Sequence, residues 1–148
     1  MTAQEVPPRP EWDRYFIDIA HKVSTRATCP RARVGAVFTY DNRILTTGYN
    51  GAPSGTKHCS SDGCVMLDGH CVRVIHAEAN GIVQAARTGI NLSGSTVYCS
   101  LSPCVHCANL MIGVGVLRVV YAAAYLTPQY VREAFKAAGV ILEQISEE

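Results

Sequence analysis

The chain has no apolar run of the roughly 18 residues that a membrane-crossing helix needs, so nothing in it is expected to span a bilayer. It has no excess of charge of either sign: 13 Lys and Arg face 12 Asp and Glu, a net +1 with His neutral. No basic run of the kind that tracks a phosphate backbone is present, which argues against a dedicated nucleic-acid binder. There is no internal repeat and no sign of a second domain. A length of 148 residues, 48% of them hydrophobic, makes one ordinary domain with a real core. Met1 to Pro10 has no apolar h-region. With Pro7, Pro8 and Pro10 it reads as a flexible arm over 1–10, ahead of a domain over 11–148, and not as a signal peptide. The expected compartment is the cytoplasm.

What the chain does have is seven cysteines. The number is odd and no export signal accompanies it, so a disulfide framework is a poor explanation. In a reducing compartment, clustered Cys and His more often mean metal. Cys99, inside the apolar strand pattern Thr96-Val97-Tyr98-Cys99, reads as an ordinary buried thiol.

Periodicity and punctuation give the elements. Glu11 to Ser24 is predicted as an amphipathic helix, with Trp12, Phe16, Ile19 and Val23 on its apolar stripe and His21 at its surface. Val34 to Tyr40 and Ile44 to Thr47 are strands joined by a short hairpin at Asp41-Asn42. Gly48 to Gly55 is a glycine-rich loop. Thr56 to Val74 is irregular and holds His58, Cys59, Cys64, His70 and Cys71; so long a stretch needs a stabilising device, and metal is the natural candidate. A helix over His76 to Ala86 is stopped by Gly89. A strand at Thr96 to Ser100, a helix from about Cys104 to Ile112 and a strand at Leu117 to Tyr121 follow. A helix over Pro128 to Ala138 opens on proline and stops at Gly139, and Val140 to Ile145 is the last strand. Alternating helices and strands in the second half imply parallel pairing with helices on the sheet faces, an α/β fold.

The chemistry concentrates between His76 and Cys107. His76-Ala77-Glu78 opens this stretch and Pro103-Cys104-Val105-His106-Cys107 closes it. His76, Cys104 and Cys107 are good zinc ligands. Three protein ligands leave an open position, as in a catalytic zinc site, whereas a structural site fills all four. Zinc brings the pKa of a bound water near neutrality, and Glu78 is placed to shuttle its proton. His76 and Glu78 do not share a face inside a helix. They can serve one metal if both lie in a first turn with the metal in front of the helix end. Cys104 and Cys107 also begin a helix, so two positive helix ends would favour thiolate at the same point. His106 is read as an exposed filler.

The order His-x-Glu, then Pro-Cys-x-x-Cys, resembles that of the zinc nucleobase deaminases. Val34-Gly35-Ala36-Val37, Gly48-Tyr49-Asn50-Gly51, His76-Ala77-Glu78-Ala79-Asn80, Leu101 to Cys107, Val119-Val120-Tyr121 and Tyr125 extend the resemblance over most of the chain. The sequence resembles the cytidine deaminase superfamily, and within it the deoxycytidylate (dCMP) deaminases. The resemblance implies a three-layer cytidine-deaminase-like fold with a five-stranded mixed sheet flanked by helices. It implies attack at C4 of cytosine, with Glu78 moving the proton to N3 and to departing ammonia. By the same resemblance Asn50 hydrogen-bonds the base or sugar, and the backbone at Ala77 and Ser102 holds the ring or the attacking water. Tyr125 closes over the nucleotide. A 5′-phosphate needs cations or helix N-terminal amides. Arg26 in the arm after the first helix is the first candidate and Arg87 the second.

Relatives of this kind can carry a second, structural zinc. Cys29, Cys59, Cys64 and Cys71 would close a tetrahedral site, with His70 as an alternative ligand. The family implies a homo-oligomer, often a hexamer, and dCTP or dTTP effectors, for which the Gly48 to Gly55 loop is the suspected region. Two alternatives stand beside dCMP. One is the same chemistry on a free base, a nucleoside, a modified dCMP or a tRNA adenosine, the last disfavoured by the near-neutral charge. The other is an inactive zinc-binding module, against which the intact Glu78 argues.

Overall fold

Asp41 and Asn42 both take positive φ, 49° and 55°. That is the left-handed pair a two-residue hairpin turn requires, and it sets the first two strands of the computed structural model, which describes residues 4–125 and 127–146. Helix α1 (Trp12–Ser24) is followed by strands β1 (Gly35–Tyr40) and β2 (Arg43–Tyr49). A short helix α2 (Cys59–Asp62) and two-residue strands β3 (Met66–Leu67) and β4 (His70–Cys71) come next. Then follow α3 (Ala77–Thr88), β5 (Thr96–Leu101), α4 (Val105–Gly113), β6 (Arg118–Ala123), α5 (Gln129–Ala137) and β7 (Ile141–Gln144). Among the described residues, 4–10 carry no regular structure and are exposed.

The main sheet has five strands in the order β2-β1-β5-β6-β7. β1 runs antiparallel to both β2 and β5, whereas β5, β6 and β7 are parallel. The sheet is therefore mixed, as predicted, and the parallel half coincides with the alternating half of the sequence.

Strand residues alternate between two cores, because successive side chains leave opposite faces of a sheet. Ala36, Phe38, Val97, Cys99, Val119 and Tyr121 pack with Ala77 and Ala85 of α3, Cys107, Ala108 and Met111 of α4, and Val131 and Phe135 of α5. Val37, Tyr98, Val120 and Ala122 pack on the other face with Phe16, Ile17 and Ala20 of α1. The result is three layers, α1, sheet, then α3 to α5. Close approach of α3 to the sheet depends on Gly48: a Cβ there would lie 2.1 Å from the Ala77 carbonyl oxygen.

The stretch from Thr56 to Val74 is not wholly irregular, contrary to expectation. It holds α2 and the β3–β4 hairpin. Asp68 (φ 50°) and Gly69 (φ 79°) form the hairpin's turn. Strands of two residues are too short to show alternation, but the Asp-Gly pair is a turn signal in its own right.

Candidate active site

Both halves of the zinc motif end up at helix starts. His76 is the N-cap of α3 and Cys104 the N-cap of α4, each on extended backbone. Glu78 and Cys107 lie in the first turns. β2 and β5 both run antiparallel to β1 and so end on the same side of the sheet, and the Gly51–Ile75 bridge ties the start of α3 to the end of β2, so two N-termini converge there. His76 Nδ1 lies 3.4 Å from Cys104 Sγ and 3.5 Å from Cys107 Sγ. All three ligand atoms lie within 4.8 Å of one another. A tetrahedral zinc at about 2.0–2.3 Å from N and S donors spaces its ligands by roughly 3.5 Å, so this group fits the ion without rearrangement. His76 is exposed, Cys104 half-buried and Cys107 buried, which leaves one side of the group open.

The electrostatics suit metal binding. Cys104 is pulled down to about 3, first by the hydrogen bond from Cys107, then by His76 and the Cys107 backbone N–H, against the pull of burial. Cys107 is driven up, chiefly because its thiol serves the Cys104 thiolate. The hydrogen bond with Cys104 raises His76. These hydrogen bonds and the helix end favour the thiolate form of Cys104.

Glu78 is 4% exposed. Burial raises its pKa above the ordinary glutamate value, while the helix N–H at its own position and the Cys107 thiol pull the other way. A carboxyl group tuned upward can both take and return a proton. Cys99, expected to be an ordinary buried thiol, is fully buried on the α3 face of β5. Burial holds it protonated, and its thiol stands beside the Glu78 carboxyl. The signal for that neighbour was its strand phase, shared with Val97 and Leu101.

Asn50 is buried, and its amide is turned to the backbone: Val34 N–H donates to Oδ1 and Nδ2 donates to the Ala32 carbonyl, both at 2.8 Å. It holds the 32–34 segment, with one Nδ2 hydrogen still to spare. Ala77 and Ser102 are buried beside the metal group. The Ser102 hydroxyl donates to the Tyr125 carbonyl at 2.6 Å and accepts from the Tyr125 N–H at 2.9 Å. Arg26 is exposed, on the arm whose Thr28 N–H donates to the Asn50 carbonyl. Arg87 does not reach the site. It lies in the last turn of α3, about 16 Å along the helix from His76 at ~1.5 Å per residue. His106 is exposed, as expected. Asn80, not singled out in advance, donates to the Tyr49 carbonyl at 2.9 Å and so ties α3 to the end of β2.

Of the second cluster, Cys59, Cys64 and Cys71 converge within 4.8 Å. Cys59 Sγ and Cys71 Sγ are 3.5 Å apart. Burial pushes Cys59 up to about 12. Burial also opposes ionisation of Cys71, but the Arg73 N–H, the Cys59 thiol and the Val65 N–H bring it down to about 7. Cys29 is buried nearby, close enough for its charge to act on Cys64, yet it stands outside the converged group. His70, the alternative ligand, is exposed and also outside it: in the two-residue strand β4 its side chain and that of Cys71 leave opposite faces.

A five-stranded mixed sheet with a His–Cys–Cys group and a buried acid at two helix starts defines a cytidine-deaminase-like enzyme. Residues 10–123 match the model of the cytidine and deoxycytidylate deaminase zinc-binding region, and the chain belongs to that family. It is 42% identical over 137 residues to ComE operon protein 2 of Bacillus subtilis, covering 93% of this chain and 72% of that protein. It is also 42% identical over 125 residues to the deoxycytidylate deaminase of Mycobacterium phage D29, covering 76% of this chain and 95% of the phage enzyme. The crystal structure of the dCMP deaminase of cyanophage S-TIM5 with dCMP and dUMP superposes with a TM-score of 0.81 at 31% identity, covering 93% of this chain and 99% of that one. The chain spans less than half the length of the yeast deoxycytidylate deaminases it also matches. No helix among the described residues is long and apolar enough to cross a membrane.

Proposed function

We propose that the chain is a zinc-dependent dCMP deaminase, converting dCMP and water to dUMP and ammonia. The observation that carries this is the three-ligand group of His76, Cys104 and Cys107, with the buried Glu78 carboxyl against Cys107. Zinc, when bound there, supplies the activation of a water as nucleophile. Glu78 takes the proton of the attacking water, delivers it to N3 of the cytosine ring, and passes the next proton to the departing amine. The buried backbone at Ala77 and Ser102 orients the ring, since telling an amine from a carbonyl needs acceptors held in a dry site. Asn50 keeps the 32–34 segment against the substrate's sugar side. Arg26 and Tyr125 serve the 5′-phosphate end. That the substrate is dCMP, and not another cytosine compound, is supported by the phage relatives that carry this activity.

The same reading gives the chain a second, structural zinc on Cys59, Cys64 and Cys71, with Cys29 as the fourth ligand after a small approach of the arm. It makes the enzyme a cytoplasmic homo-oligomer, hexameric as in the family, with dCTP and dTTP as effectors acting through the Gly48 to Gly55 loop. Ammonia release across dCMP, dCTP, cytidine, cytosine and adenosine tests the substrate. Turnover of dCMP well above the others is expected. Fast turnover of cytidine but not dCMP would overturn the assignment, and zinc-loaded protein inert towards all five would point to a binding module.

A further inference from the structure

Ser102 is 7% exposed and stands directly before Pro103-Cys104, the turn that carries a metal ligand. Three hydrogen bonds join it to the last residue of β6 and to the segment that follows. Its N–H donates to the Ala123 carbonyl at 2.9 Å. Its hydroxyl donates to the Tyr125 carbonyl at 2.6 Å and accepts from the Tyr125 N–H at 2.9 Å. One small side chain therefore satisfies both backbone groups of a residue 23 positions away. Meanwhile the Tyr125 ring is left free of the core, at 63% exposure. The hydroxyl fixes where the ring starts from, relative to the metal turn, without touching the ring itself.

We propose that Ser102 is a positioning residue whose hydroxyl sets Tyr125 beside the metal turn, and that it governs how tightly the nucleotide is held and not the deamination step. The first bond, N–H to Ala123, is a backbone bond that any residue makes here. The two bonds to Tyr125 need a hydroxyl: one atom that is donor and acceptor at once, on a side chain short enough to lie between two backbones. Alanine would leave Tyr125 N–H and C=O to water and let the ring wander. Such a residue acts on substrate and transition state alike, so its loss raises KM and leaves kcat. The inference rests on the nucleotide-deaminase reading for its kinetic part only.

The test compares Ser102→Ala, Ser102→Thr, Tyr125→Ala and the double variant Ser102→Ala/Tyr125→Ala in zinc-loaded protein. Hydrogen exchange of the Tyr125 amide is read first. It should quicken by about tenfold or more in Ser102→Ala and stay near wild type in Ser102→Thr. With dCMP, Ser102→Ala should raise KM about tenfold, with kcat and zinc content held within about twofold, and Ser102→Thr should restore KM. In the Tyr125→Ala background, Ser102→Ala should add nothing further to KM, because its effect passes through the ring. Additive losses, a fall in kcat at unchanged KM, or loss of zinc would overturn the proposal. Unchanged amide exchange in Ser102→Ala would overturn it also. A wild type that leaves dCMP untouched would sink the functional reading instead, while the exchange measurement would still decide the clamp.

Discussion

His76 Nδ1 stands 3.4 Å from Cys104 Sγ, although the two residues are 28 apart in the chain. Each caps a different helix, and the strands beneath bring the two helix starts together. Replacing either ligand should therefore release the metal without unfolding the sheet. For His76→Ala and Cys104→Ser, zinc affinity should fall on the order of 100-fold or more, beyond the usual cost of losing an outer-shell partner. Atomic absorption on dialysed protein measures it. A chelator should abolish activity in the wild type, and added zinc should restore it.

Glu78 should be separable from the metal. Its side chain is buried beside the ligand group but belongs to no ligand position. Glu78→Gln keeps size and hydrogen bonding and removes the transferable proton. Zinc content and melting temperature should hold, while kcat falls about 10²- to 10⁴-fold, the usual worth of a positioned acid–base group. Substantial residual turnover in metal-replete Glu78→Gln would remove the proton-shuttle role.

Much of this was legible in the sequence, and the limits are physical. Elements of five or more residues announce themselves by period, and so did α1, α3, the long strands and their glycine stops. The metal motif was legible because helix starts are marked by chemistry, with proline before Cys104 and an irregular segment before His76. The β3–β4 hairpin was missed because two residues cannot display alternation. Arg87, the second phosphate candidate, was chosen for lying on the catalytic helix, and it sits in that helix's last turn, at the end away from His76. Strand phase puts Cys99 on the face of Val97, but its meeting with Glu78, and the Asn50 amide turned onto Ala32 and Val34, are products of tertiary packing, which pattern reading does not resolve.

Asp13 ties α1 to the parallel half of the sheet. It receives both guanidinium arms of Arg118 at 2.9 and 2.7 Å and the Tyr98 hydroxyl at 2.8 Å. Arg118 also donates to Glu143 at 2.6 Å. The Arg118 bond leads in holding the Asp13 carboxyl below its ordinary value, outweighing burial, with Tyr98 assisting. A depressed carboxyl lends stability above its unfolded pKa of about 3.9 and loses it as pH falls through the folded value. Urea unfolding across pH 2.5–7 should therefore show a steeper acid loss in the wild type than in Asp13→Asn. The variant should be weaker near neutrality by about 1 kcal/mol, a discount that partial exposure demands. Parallel pH curves for the two proteins would remove this role.

Gly48 should be intolerant of the smallest side chain. Its Cβ would meet the Ala77 carbonyl oxygen at 2.1 Å and the Gly81 N at 2.4 Å, both backbone. Neither can swing aside, so α3 must lift from β2. Overpacking of this kind costs about 1–3 kcal/mol. Because the displaced residues flank His76 and Glu78, Gly48→Ala should lower the melting temperature and weaken zinc retention together. An unchanged melting curve would show that α3 can shift freely, contrary to the packing described.

The thiol group at Cys59, Cys64 and Cys71 makes a stoichiometric prediction. Three donors within 4.8 Å of one another lack one ligand of a closed structural site. Cys29 is a fitting fourth donor, buried at 6% exposure and acting by charge on Cys64. The arm that bears it is already tied in, since Thr28 N–H donates to the Asn50 carbonyl at 3.2 Å. Wild-type protein should therefore bind two zinc ions per chain. Cys59→Ser should bind one, leave the catalytic group loaded, and lose stability in the segment from Thr56 to Val74, where limited proteolysis would cut first. Cys29→Ser separates the ligand sets: retention of both ions would assign the fourth position to water or another donor, whereas loss of one would place Cys29 in the site. A wild-type ratio of one zinc per chain would remove the second site altogether.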